Sequence, residues 1–297
     1  MLERELLVYI DGEYRPKSRA KVSVYDHGLL YGDGVFEGIR AYDGVVFRLK
    51  EHIDRLYRSA SVIMLSIPLT KEEMINAVLE TLRKNHLRDA YIRLLVTRGV
   101  GDLGLDPRKC KKPTVIIITD VIRLHSGEAK ENGIRTMLVW VKRDPVDATS
   151  HEVKSLNYMN SILAKIEANI ADLDEAICLD KNGHISEGVA ENVFIVQKGK
   201  IITPPTSTGA LVGITRDVAM KLAEKLGYKA VESNITPTDL FTADEAFFTG
   251  TAAEIVPIVE VNKRVIGNGD PGPITRRLMQ EFEKVVRDPK EGAPIYQ

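Results

Sequence analysis

Short β-rich runs alternate with amphipathic helical stripes along nearly the whole chain, and this restricts it to a mixed α/β (α+β) architecture. Leu7–Ile10 followed by Asp11-Gly12 reads as a hairpin, because Asp-Gly suits the positive φ angles of a type I′ turn. Ile53, Leu56, Tyr57, Ala60 and Met64 recur at helical spacing. A second helix begins at the capping box Thr70-Lys71-Glu72-Glu73 and carries Met74, Val78 and Leu82 on one face. With strands expected at Tyr91–Thr97 and Thr114–Thr119, these elements predict a small α+β domain over residues 1–120.

The segment Arg123–Gly133 turns polar, and residues 121–133 read as an interdomain linker. Beyond it, residues 134–297 form the expected larger domain. Its strands are predicted at Thr136–Lys142, Ala176–Asp180, Val193–Gln197 and Glu245–Thr249. Leu156, Met159, Leu163, Ile166 and Ile170 make one helical stripe, and Val218, Leu222 and Leu226 another. Two domains with a cleft between them favour a small-molecule site. The chain's 297 residues are enough for two cores.

Charge points the same way. The 41 basic and 42 acidic side chains nearly cancel, so nothing favours a nucleic-acid or membrane-surface partner. Cys110 and Cys178 supply no disulfide framework, and no His/Cys cluster has metal-ligand spacing. The N-terminal residues lack the apolar run of a secretion leader. No stretch approaches the roughly 18 apolar residues of a membrane span. The expectation is a cytoplasmic protein without a metal.

Several residues carry chemistry. Gly213-Ile214-Thr215 opens the helix bearing Val218, with Thr215 as a candidate cap, and first-turn N–H groups attract phosphate. The turn Gly250-Thr251-Ala252-Ala253-Glu254 leaves its backbone N–H groups accessible to oxyanions. Arg55 offers a forked phosphate contact. Lys154 lies just before an apolar helix, where a partly desolvated amine becomes a nucleophile. Glu187 is a carboxylate suited to a pyridine nitrogen. Each alone has an ordinary explanation as a cap, a turn, a surface lysine or a loop acid.

Together they resemble a known family. The blocks YDHGLLYGDGVFEGIRAY (25–42), EHIDRL (51–56), YIR (91–93), KSLNY (154–158), ISEGVAENVF (185–194), GITRD (213–217) and FTGTAAEI (248–255) resemble the fold-type IV pyridoxal-phosphate aminotransferases, above all the branched-chain amino acid aminotransferases. The resemblance spans nearly the whole chain. It implies a cofactor, pyridoxal 5'-phosphate, in the cleft and amino-group exchange between branched-chain L-amino acids and 2-oxoglutarate by a ping-pong mechanism. By the same resemblance Lys154 is the Schiff-base lysine, Glu187 the partner of the pyridine nitrogen, and Tyr158 the partner of the phenolate oxygen. Arg55, Ile214, Thr215 and Thr251 match the phosphate cup. Tyr31, Phe36, Tyr91 and Arg93 match the substrate pocket, with Leu103 and Leu105 as additions to its apolar wall, and Ala252 and Ala253 its carboxylate-binding turn. The loop Gly101–Leu105 resembles one that reaches a partner subunit's site, which implies at least a homodimer. KSLN and Val96-Thr97-Arg98-Gly99 also resemble the D-amino acid transaminases, and 4-amino-4-deoxychorismate lyase shares the fold. YIR, GDLGL and GTAAEI favour the branched-chain branch. A protein that binds the cofactor or an amino acid without turnover is the alternative outside enzymes.

Overall fold

A computed structural model describes residues 5–121 and 127–296. The chain divides into two compact units. One takes Met1–Ile122, Val153–Asn157 and Val286–Gln297, and the other Arg123–Glu152 and Tyr158–Val285.

The first unit is built on a seven-stranded sheet. Its spatial order is Gly292–Pro294, Val45–Phe47, Gly34–Tyr42, Ala90–Thr97, Thr114–Asp120, Leu7–Ile10 and Glu13–Pro16. The expected hairpin is present: Ile10 pairs with Glu13, and Asp11 and Gly12 take φ of 51° and 97°. The C-terminal strand Gly292–Pro294 joins this sheet by pairing with Val45–Phe47, which is why the end of the chain belongs to this unit.

Strand Gly34–Tyr42 pairs along eight residues with Ala90–Thr97, so its alternation sorts side chains cleanly. Val35, Ile39 and Ala41 enter the core with Ile92, Leu94 and Val96. Helix Leu49–Val62 adds Ile53, Leu56 and Ala60 to that core, and helix Lys71–Lys84 adds Met74, Val78 and Leu82. The second helix starts at the Thr70–Glu73 capping box, with both reciprocal bonds formed. Met64 falls outside the first helix, which ends at Val62. It sits at φ 51° with its side chain in solvent.

The second unit holds a nine-stranded sheet. Eight strands run in the order Ala230–Glu232, Lys200–Thr203, Asn192–Gln197, Glu245–Gly250, Glu254–Val261, Ile134–Lys142, Glu175–Leu179 and Ile185–Gly188, and Arg264–Val265 pairs with Glu254–Val261. The polar segment read as a linker contains helix Gly127–Asn132, while residues 122–126 lie outside the described ones.

Helix Met159–Ile170 forms where expected but faces the other way. Ser161, Ala164 and Ala168 are its buried residues, whereas Met159, Leu163, Ile166 and Ile170 are exposed, the last at 82%. Ala164 and Ala168 pack with Val139, Ala176 and Cys178, so small residues let the helix lie close to its sheet. The large apolar stripe therefore points outward. Among the described residues no helix is long and apolar enough to cross a membrane.

One charged cluster ties helix to sheet in the first unit. Glu37, on the core face of its strand, accepts from Arg55 Nε at 2.7 Å and Nη2 at 2.8 Å, and contacts His52 Nδ1 at 2.8 Å. Burial pushes the Glu37 carboxyl up, but the Arg55 charge and the hydrogen bonds from Arg55 and His52 outweigh it and hold it at about 2. Burial, joined by the nearby Arg55 and Lys154 charges, lowers the His52 imidazole against the opposing pull of Glu37. Both groups therefore bind fewer protons folded than unfolded, so stability falls as pH falls. The loss begins below about 6.5 for His52 and runs from 4.5 to about 2 for Glu37.

Two outcomes follow from this packing. Urea midpoints measured across pH should decline through both windows. Glu37→Gln should cost about 3–5 kcal/mol at neutral pH by stranding Arg55, and flatten the lower window. Ala164→Leu should destabilise by about 1–3 kcal/mol in urea unfolding, because it overpacks the close helix–sheet contact. Parental stability in that variant would show that small residues do not set the spacing.

Candidate active site

In the first unit, Val153–Asn157 runs beside the start of strand Gly34–Tyr42. The Phe36 N–H donates to the Lys154 carbonyl, and the Leu156 N–H to that of Gly34, each at 3.0 Å. The Lys154 N–H donates to Ser59 Oγ at 3.2 Å. Backbone bonds on two sides thus fix where the lysine leaves the chain, and its Nζ lies 4.5 Å from the centre of the Phe36 ring.

Phe36, Gly38 and Arg40 alternate with the core residues of their strand and share a face with Leu95, Arg93 and Tyr91, their direct partners on the next strand. The Arg93 guanidinium lies over two aromatic rings, 4.6 Å from Phe36 and 5.4 Å from Tyr91. A Cβ at Gly38 would come within 2.3 Å of the Tyr91 hydroxyl, so only glycine lets that ring close over the strand. Phe36, Tyr91, Arg93 and Lys154 are therefore brought together. Arg55 is buried with Glu37 on the helix-covered side.

Tyr31 lies apart from that group in its contacts: its hydroxyl donates to the Leu103 carbonyl at 2.6 Å. His27 Nε2 meets the Asp102 carbonyl at 2.8 Å, so two ring side chains strap the loop Gly101–Leu105. The Leu103 and Leu105 side chains are exposed, and within one chain they add to no apolar wall.

In the second unit, Glu187 is buried on strand Ile185–Gly188. Its Oε2 accepts from the Leu211 N–H at 2.9 Å and from Asn192 Nδ2 at 3.2 Å. Its Oε1 lies 3.3 Å from Arg143 Nε and 3.8 Å from His151 Nδ1. Tyr158 precedes helix Met159–Ile170, with its ring centre 6.2 Å from that of His151.

Helix Ile214–Lys225 begins two residues earlier than the capping expectation. Gly213 is the N-cap and provides no side-chain bond, and Thr215 is buried in the first turn. A Cβ at Gly213 would fall 2.0 Å from Asn192 Oδ1, so only glycine fits there, and Asn192 Nδ2 donates to both the Leu211 carbonyl and Glu187. Thr251, Ala252 and Ala253 form the connection between two paired strands, where Gly250 stands opposite Glu254. Below it the Thr249 hydroxyl is buried without a hydrogen-bond partner among the described residues.

Glu191 is the remaining unusual acid. Burial, then the Glu175 charge, raise its carboxyl to about 8. Sequence reading left Glu37, Arg40, His52, Arg143, His151, Glu191 and Asn192 unassigned. Glu37, Arg40, His52, Glu191 and Asn192 lie inside the blocks quoted above, and an acid within the apolar run Val35–Ile39 was a usable signal. Arg143 and His151 carried none. No group of His, Cys, Asp and Glu suited to a metal occurs among the described residues.

Comparison with known proteins places this geometry. Residues 34–261 match the family Amino-transferase class IV. A Methanocaldococcus jannaschii protein is 59% identical over 278 residues, covering 94% of this chain and 96% of its own. The Pseudomonas aeruginosa branched-chain-amino-acid aminotransferase is 40% identical, over 96% of this chain and 94% of its own. Among solved structures, the Escherichia coli branched-chain amino acid aminotransferase is similar at a TM-score of 0.93 and 38% identity, covering 96% of each chain. Another branched-chain amino acid aminotransferase, complexed with N-(5'-phosphopyridoxyl)-L-glutamate, is similar at a TM-score of 0.93 and 36% identity, covering 99% of each chain. The fold-type IV architecture expected from the sequence is thus the one adopted. With the family matched across three quarters of the chain and an amine, a buried carboxylate and two arginines set in the matching blocks, the chain belongs to the class IV aminotransferases.

Proposed function

We propose that this aminotransferase exchanges the amino group of branched-chain L-amino acids with 2-oxoglutarate, using pyridoxal 5'-phosphate and taking its two substrates in turn. The observation that carries the reading is the grouping of the Lys154 amine, the Phe36 and Tyr91 rings and the Arg93 guanidinium on one sheet face. The rings offer an apolar side chain a surface, and the cation offers one to the side-chain carboxylate of glutamate.

The donor set fits the cofactor. The first turn of Ile214–Lys225 lacks a side-chain cap, so the amides at Ile214 and Thr215 suit a phosphate, with Arg55 and Thr251 as its further partners. Glu187 is a buried carboxylate suited to the pyridine nitrogen, and Tyr158 a hydroxyl suited to the phenolate oxygen. When bound, pyridoxal phosphate supplies an electron sink for the Cα–H bond of the substrate. Lys154 would anchor the cofactor and, once released, carry the proton from the substrate Cα to the cofactor C4′, acting as base and acid in turn. Ala252 and Ala253 present backbone N–H groups to the shared α-carboxylate. Tyr31 lines the pocket. Leu103 and Leu105, exposed within one chain, enter the pocket of a partner in at least a homodimer. The unpaired thiols Cys110 and Cys178 support placing the reaction in the cytoplasm.

Lys154→Ala should abolish turnover and leave no borohydride-fixed pyridoxyl group on the protein, with circular dichroism unchanged. A fixed group in that variant would show that another lysine holds the cofactor. Arg93→Met should separate the substrates. Charge-assisted hydrogen bonds contribute about 1.5–3 kcal/mol, so single-turnover reaction with L-glutamate should slow by roughly ten- to a hundred-fold. Reaction with L-leucine should slow less, since its side chain gains nothing from the cation. Equal slowing would mean that Arg93 binds the shared α-carboxylate and that dual recognition lies elsewhere.

A further inference from the structure

Arg143 is fully buried, and a guanidinium out of water must have its donors and its charge met. Its Nη1 donates to Asn160 Oδ1 at 2.9 Å and Ser161 Oγ at 3.1 Å, and its Nη2 donates to the Gly188 carbonyl. These three neutral groups, with His151 Nδ1 3.5 Å from Nη1, fix the guanidinium independently of any acid. Its Nε then stands 3.3 Å from Glu187 Oε1 without hydrogen-bond alignment, so what Arg143 contributes to Glu187 is charge at a fixed place.

His151 supports the same guanidinium: its Nδ1 accepts from Arg143 Nη1 at 3.5 Å and lies 3.8 Å from Glu187 Oε1. Its Nε2 lies 3.2 Å from Asp144 Oδ2, which orients the ring, and the ring neighbours Tyr158. The other oxygen, Oε2, is held by Asn192 and the Leu211 N–H. Glu187 thus meets neutral donors at one oxygen and, at the other, the charge of a buried cation that His151 helps to hold. A carboxylate on a flexible side chain needs such a hold to present one orientation to a ring nitrogen.

We propose that Arg143, assisted by His151, is a positioning residue that fixes Glu187 as an oriented carboxylate for the pyridine nitrogen. This rests on the reading of Glu187 given above. Arg143 acts only through Glu187, so its effect vanishes once Glu187 cannot be a carboxylate.

The test is a double-mutant cycle on the holoenzyme without substrate, reading the visible absorbance of bound pyridoxal phosphate and the rate at which it dissociates. Arg143→Met should speed dissociation about ten-fold and shift the absorbance, as coupled neighbours in one network do. On a Glu187→Gln background the same change should add less than about two-fold. His151→Asn, a milder change, should show the same pattern at smaller size, and carries the test if Arg143→Met fails to fold by circular dichroism. Additive losses in the double variants, or unchanged absorbance and dissociation in folded single variants, overturn the proposal. Parental absorbance and retention in Glu187→Gln alone would instead remove the reading of Glu187 itself, and the proposal with it.

Discussion

Each unit buries an arginine against a glutamate, and the candidate chemistry is arranged around those two pairs. In the first unit Glu37 receives a forked contact from Arg55. In the second, Arg143 stands against Glu187. A buried charge is tolerated only when paired and hydrogen-bonded, so each pair forces the surrounding backbone to supply donors and acceptors at set places. The pairs are costly as elements of stability. They hold charged groups still in places where water would otherwise screen them, as the proposed roles of Arg55 and Glu187 would require.

The sheet of the first unit separates structure from chemistry by the simplest means available, the two-residue period of a strand. On strand Gly34–Tyr42, odd-numbered positions hold Val35, Glu37, Ile39 and Ala41 against the helices, and even-numbered ones present Phe36, Gly38 and Arg40 beside Tyr91 and Arg93. Glu37 is the exception on the core face, and its partners His52 and Arg55 come from one helix three residues apart. A single-residue slip in register would bury Arg40 and expose Glu37, so the core and the site enforce the same alignment.

Much of this was legible in advance because it depends on local rules. The Asp11-Gly12 hairpin and the Thr70–Glu73 capping box follow from backbone preferences within four residues. The outward face of helix Met159–Ile170 was not legible. Periodicity reveals that a helix has an apolar stripe but not which face the sheet accepts, and here the small residues Ser161, Ala164 and Ala168 permit the closer approach. Leu103 and Leu105 show the same limit: apolar character alone did not tell that a single chain leaves them in solvent.

By itself the sequence determined the alternation of strands and helices, the turn and cap positions, and the ordered blocks that identify the family, because each is encoded within a short window. Tertiary structure alone decided which charges are paired. Arg143 and Glu187 are separated by 43 intervening residues, and Arg55 and Glu37 meet only because a helix folds back over a strand. Pairing at that range is enforced by the cost of burying an unmatched charge, a penalty that exists only once the chain has packed.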